Sequence, residues 1–258
     1  AIYLIAQLYH GWASVIPQPT YHEYEDACRM FGHLISYEST DDLEIMPQDR
    51  IYWLCNPDNP TGNVILKPLL MRIIKQNPRY LHVLDQSYQD YTIQPMIQPK
   101  EVADCYNAML IRSFSKKYCI PGLRLGYITA SPIVIDRLRQ IRQPRTVNTL
   151  AIEAGKYLIE HDSKMLPDIR AYLIEAQRLK KELQEIEGLM VMDTFTHYML
   201  VNIDWATSLE LKNWLMEHHG ILIRDASIFH GLDDHCFRVA AQTPEENGQL
   251  IEALTEYV

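Results

Sequence analysis

The sequence predicts an α/β fold, a mostly parallel sheet flanked by helices, with a smaller C-terminal α+β domain. Two observations predict it. Short apolar runs near 34–37, 51–55, 80–85, 108–112 and 125–130 alternate with helical or looped stretches, as strands buried on both faces alternate with covering helices. Then the pattern changes: three helical segments lead into short strands and helices in mixed order. Taken in order, Ala1-Ile2-Tyr3-Leu4-Ile5-Ala6 is apolar and helix-like, and the five strands follow. Helices are expected over about 132–142 and 147–160, with a long amphipathic one over about 165–186 that ends at Gly188 as its C-cap. After it come strands at 189–193 and 197–203, a helix at 208–219, strands at 220–224 and 236–241, and a final helix at 245–257. The expected division is therefore a larger domain over 1–164 and a smaller one over 165–258, entered by the long helix.

Composition narrows the function. A chain of 258 residues that is 47% hydrophobic buries a sizeable core, enough for one large or two modest domains. A net charge of −9 argues against nucleic acid or an anionic membrane surface as partner. No apolar run is long enough to span a bilayer and no signal peptide is visible, so the expectation is a cytoplasmic protein. Cys28, Cys55, Cys105, Cys119 and Cys236 show no CxxC spacing, and the histidines show no ligand spacing. They read as free thiols and ordinary imidazoles, with no metal site.

Three motifs carry chemistry. Arg112-Ser113-Phe114-Ser115-Lys116 follows the strand-like Ala108-Met109-Leu110-Ile111, and Arg124 arrives eight residues later inside Gly122-Leu123-Arg124-Leu125-Gly126-Tyr127. Two hydroxyls beside a lysine, with a guanidinium close behind, suit a phosphorylated aldehyde: the amine forms an imine while Ser113, Ser115 and Arg124 hold the phosphate. A basic surface turn is the plain alternative. Asn56-Pro57-Asp58-Asn59-Pro60-Thr61-Gly62 is strong loop punctuation after Ile51-Tyr52-Trp53-Leu54-Cys55. Asp85-Gln86-Ser87-Tyr88 ends a buried strand, where an acid can cap the next helix or keep a pyridine nitrogen protonated. Asn59, Asp85 and Lys116 all follow strand ends, the edge at which parallel sheets bind ligands.

In this order and spacing the motifs resemble the fold-type-I pyridoxal-phosphate enzymes of the aminotransferase class I/II superfamily, over nearly the whole chain. The resemblance implies pyridoxal 5'-phosphate as cofactor, Lys116 as the Schiff-base lysine and Asp85 as the partner of the pyridine nitrogen. It implies that Asn59 and Tyr88 contact the phenolate oxygen, that Ser113, Ser115 and Arg124 bind the phosphate, and that Tyr21 stacks on the ring. Arg238, in Phe237-Arg238-Val239, would grip the substrate α-carboxylate as a bidentate pair. A homodimer is also implied, because family active sites lie between subunits. Gln86-Ser87 departs from the Glu-Ala that is common after the aspartate. The start resembles an N-terminally shortened member, without the glycine-bearing phosphate loop, the first strand and the N-terminal arm.

Within the superfamily, the chain is similar to two groups acting on phosphorylated amines: L-threonine-O-3-phosphate decarboxylases, of cobalamin biosynthesis, and histidinol-phosphate aminotransferases. The stretches Ile120–Tyr127, Val147–Ala151 and Ile221–Asp225 look more like the decarboxylases. Arg224 would meet a substrate phosphate or pair with Asp225, and Asn148 would touch substrate or cap a helix. The expected substrate is thus a small phosphorylated amino acid. The expected reaction is decarboxylation, with transamination and a non-catalytic remnant as alternatives.

Overall fold

The computed structural model describes residues 1–37, 50–162 and 168–257. Its first sheet has six strands in the order β2-β1-β3-β4-β5-β6: β1 Ala13–Val15, β2 Leu34–Ser36, β3 Arg50–Cys55, β4 Leu81–Asp85, β5 Ala108–Ser113 and β6 Gly126–Thr129. Neighbours run parallel except β5 and β6, which pair antiparallel. Alternation along β3 explains why both faces need cover. Trp53 packs on one side beneath α1 (Ile2–Leu8) and α2 (Glu23–Met30), through Ile5, Ala6, Tyr24 and Ala27. Tyr52 and Leu54 pack on the other beneath α3 (Lys67–Gln76) and α4 (Pro99–Ala103), through Leu70, Ile74 and Val102. Successive side chains of a strand point to opposite faces, so a strand buried twice must be apolar throughout, as β4 is apart from His82 and its terminal aspartate.

After β5 come α5 (Phe114–Lys117), α6 (Pro132–Ile141) and α7 (Thr149–Glu160). A second sheet, antiparallel throughout, has the order β7-β8-β10-β9: β7 Leu189–Val191, β8 Tyr198–Ile203, β9 Arg224–Asp225 and β10 Cys236–Ala240. α8 (Ile169–Gln184), α9 (Ser208–His219) and α10 (Pro244–Tyr257) close a separate core over it, with Leu179, Leu183, Leu211, Leu215, Phe237 and Leu254 at its centre. The α/β architecture expected from the sequence is thus the one observed.

Several boundaries differ. β1 has no counterpart among the expected strands, because its three residues include a buried polar one: Ser14 Oγ accepts from Trp53 Nε1 at 3.1 Å and lies 2.9 Å from His33 Nδ1. The strand expected at 220–224 shrinks to Arg224–Asp225, since Gly220 turns left-handed (φ 67°) to cap α9. α8 ends at Gln184 with Glu185 as C-cap, so Gly188 is not its cap. Gly188 instead has φ +80° and lies where a Cβ would sit 2.2 Å from the Trp205 ring. The boundary expected at 164/165 falls outside the described residues, as does the first part of the 165–186 segment.

Candidate active site

Parallel register brings the motifs together. Cys55 lies beside Asp85, and Asp85 beside Ile111, so the loops leaving β3, β4 and β5 open on one edge. They surround a cavity of about 340 Å³ whose lining includes Tyr21, Asn59, Asp85, Tyr88, Ser113, Ser115, Lys116 and Arg124. Asp85 is buried at the end of β4. One carboxylate oxygen accepts from Ser87 N (2.9 Å) and Ser87 Oγ (2.6 Å), the other from Tyr24 OH (3.0 Å). Burial pushes this carboxyl above its ordinary pKa, and the Ser87 and Tyr24 bonds pull it back. These donors are neutral, so a cationic partner in the cavity would relieve the burial.

Lys116 sits in the single turn of α5, which Ser113 caps by accepting from Ser115 N at 3.1 Å. Its Nζ lies 5.4 Å from the centre of the Tyr88 ring. The neighbouring Lys117 points elsewhere, 2.8 Å from Asp162 and 3.5 Å from Asp90. Behind the turn, Tyr91 OH donates to the Lys116 carbonyl at 2.9 Å. Arg124 has a left-handed backbone (φ 54°) and donates to Pro121 O at 2.9 Å, which folds it back to the cavity rim. Gly126 follows because a Cβ there would meet Arg112 O at 2.8 Å.

The second sheet supplies Arg238. Its guanidinium donates to Asn59 Oδ1 and lies 5.1 Å from the Tyr198 ring centre. Arg224 is exposed and directly opposite Arg238 in the β9–β10 register, hence on the same sheet face. Asp225 is engaged by Ser208 Oγ (2.6 Å) and Ser227 N (2.9 Å), and Arg224 makes no ion pair among the described residues. Asn148 caps α7, accepting from Ala151 N at 2.9 Å, and is not part of the cavity lining. Of its two readings, capping is the one the geometry displays.

Sequence reasoning missed the groups that join the two sheets at this site. Asp58 accepts from Thr20 Oγ1 and Thr61 Oγ1, both at 2.7 Å, tying the segment before Tyr21 to the loop of Asn59. Burial pushes its carboxyl up to about 6. Tyr198 OH donates to Asp58 O at 2.6 Å across 140 residues of chain. Gln86, noted in the sequence only as a departure, is buried and accepts from Arg112 Nε (3.2 Å) and Nη2 (3.0 Å). The one available signal was Gly62, whose φ of +75° and close approach to Thr194, Thr196 and Tyr198 mark where the loop meets β8.

Comparisons with known proteins extend the picture. A family model described as Aminotransferase class I and II matches residues 1–254. The solved L-threonine-O-3-phosphate decarboxylase of Porphyromonas gingivalis is 36% identical with a TM-score of 0.96, covering 99% of this chain and 80% of that one. A protein of Caldanaerobacter subterraneus subsp. tengcongensis named "Putative threonine-phosphate decarboxylase" is 30% identical, over 98% of this chain and 73% of its own length. The histidinol-phosphate aminotransferase of Ruminiclostridium cellulolyticum is 26% identical over the same shares.

Proposed function

Since the chain belongs to the aminotransferase class I and II family, we propose that it is a pyridoxal-phosphate enzyme that decarboxylates L-threonine O-3-phosphate to aminopropanol phosphate. The similarity to the Porphyromonas gingivalis decarboxylase carries the choice of substrate. The cavity fits the cofactor on its own chemistry: a buried carboxylate that accepts from the neutral donors Ser87 and Tyr24, an amine on the facing turn, and two hydroxyls with a guanidinium at the rim. When bound, pyridoxal phosphate supplies an electron sink for the carbanion left by the broken bond.

The residues divide the remaining work. Lys116 carries the amine that would hold the cofactor through its aldehyde, and the same amine is placed to move a proton at the substrate α-carbon. Asp85, desolvated and held by Ser87 and Tyr24, would keep the pyridine nitrogen protonated. Tyr21 would hold the ring, Asn59 and Tyr88 the phenolate oxygen, and Ser113, Ser115 and Arg124 the phosphate. Arg238 would take the substrate carboxylate as a bidentate pair, with its guanidinium held in place by the bond to Asn59. Arg224, on the same face, receives the substrate phosphate. By orienting the substrate, Arg238 and Arg224 would select which bond at the α-carbon is broken.

We further read the chain as two domains, 1–164 and 165–258, forming a cytoplasmic homodimer. A second reading, transamination of histidinol phosphate, is favoured by the similarity to histidinol-phosphate aminotransferases. One assay separates them: carbon dioxide released from L-threonine O-3-phosphate without a 2-oxo acid supports decarboxylation. Glutamate formed from histidinol phosphate and 2-oxoglutarate, with no such release, supports transamination.

A further inference from the structure

We propose that His197 is a positioning residue, a ring wedged between Tyr91 and Tyr172 that holds Arg238 in register with Lys116. The inference rests on the assignment of those two residues above. His197 occupies the turn that enters β8, and its ring centre lies 4.1 Å from Tyr91, on the first-sheet side, and 5.2 Å from Tyr172 of α8. It also meets Tyr198 edge-on at 5.2 Å and approaches Tyr88 at 6.3 Å.

Three of the four tyrosines around it end on backbone carbonyls. Tyr91 OH donates to Lys116 O (2.9 Å), Tyr198 OH to Asp58 O (2.6 Å) and Tyr172 OH to Ala241 O (2.7 Å). Ala241 N in turn donates to His197 O at 2.7 Å, three residues beyond Arg238. The ring thus sits where the turn of Lys116, the loop of Asn59 and the end of β10 meet.

Two further observations show that the ring acts by shape and not by a hydrogen bond or a charge. Its Nδ1 is buried without a hydrogen-bond partner among the described residues. Burial, with the nearby charges of Arg238 and Lys116, holds its pKa down to about 3, so the wedge is uncharged between the two cations at neutral pH.

The cofactor contacts assigned above all come from the first-sheet side, whereas substrate must engage both Lys116 and Arg238. Loss of the wedge therefore separates the two bindings. In the full chain, His197→Ala is expected to leave the pyridoxal phosphate Kd, read by fluorescence titration, within about threefold. The KM for L-threonine O-3-phosphate should rise about tenfold or more, as expected for a misplaced binding group. His197→Phe restores the ring and should recover most of that loss. In a Tyr91→Phe background, which keeps the stack but cuts the bond to Lys116, His197→Ala should add little, a non-additivity typical of residues acting through one another. An unchanged KM, an equal loss of cofactor and substrate, a failure of phenylalanine to restore, or strict additivity would each overturn the wedge while leaving the site assignment standing. Failure of the unsubstituted chain to bind pyridoxal phosphate would overturn the assignment and the wedge with it.

Discussion

Replacing Gly62 with alanine tests how the cofactor-side loop is locked to the second sheet. Gly62 has φ +75°, and a Cβ there would lie 2.1 Å from Thr194 Oγ1, 2.8 Å from Thr196 Oγ1 and 2.9 Å from Tyr198 O. The threonines cannot swing aside freely, because Thr194 Oγ1 donates to Tyr198 O at 2.6 Å and accepts from Thr196 N at 3.1 Å. Gly11 provides the control: its φ is +76°, yet a Cβ there would have nothing within 4 Å. Gly11→Ala should therefore show only left-handed backbone strain, about 1–2 kcal/mol. Gly62→Ala adds overpacking of about 1–3 kcal/mol and strains buried hydrogen bonds, for a total of about 3–5 kcal/mol. Urea unfolding followed by tryptophan fluorescence measures both. Equal losses at the two glycines would refute the argument, since they would mean that the loop does not press on β8.

Three further outcomes follow from the same geometry. Asp58 has a folded pKa of about 6, above the ordinary carboxyl value, so its contribution to stability is fully present below about pH 4 and is lost as pH rises through 6. The change amounts to up to about 3 kcal/mol, and Asp58→Asn should abolish it in urea titrations at pH 4 and pH 7. Asn148→Ala removes an N-cap and should lower stability by about 1 kcal/mol, with the substrate KM unchanged in steady-state assays. Gln86→Ala takes the shared acceptor from the buried Arg112 guanidinium and should lower stability by about 2 kcal/mol, read as a fall in melting temperature.

The legible part of this protein is the part written locally. Asp85 and Lys116 stand out because one ends and the other closely follows a strand buried on both faces, and such strands leave continuous apolar runs. Tyr21, Asn59 and Arg124 are assignable only through the order of the motifs, and they line the same cavity as the other cofactor candidates. The less legible part depends on distant pairing. Asp58 and Tyr198 are 140 residues apart, and neither has a periodic or spacing signal that reports the bond. His197 reads as an ordinary imidazole in the sequence because its role comes from rings on three elements. β1 escapes notice for a different reason: its centre is a serine whose burial is stabilised by tertiary hydrogen bonds rather than by apolar character. The antiparallel direction of β6 is likewise set by the tight return through Pro121–Leu123, not by the strand's own residues.

The central claim is that Lys116, and not its neighbour, is the amine that meets the cofactor. Borohydride reduction of the chain equilibrated with pyridoxal phosphate, followed by peptide mapping, tests this directly. Lys117 is held by Asp162 and Asp90 away from the cavity, so the account predicts a reduced adduct on Lys116 alone, absent from Lys116→Ala together with the visible absorbance. An adduct on Lys117 or another lysine, or absorbance that survives Lys116→Ala, would contradict it.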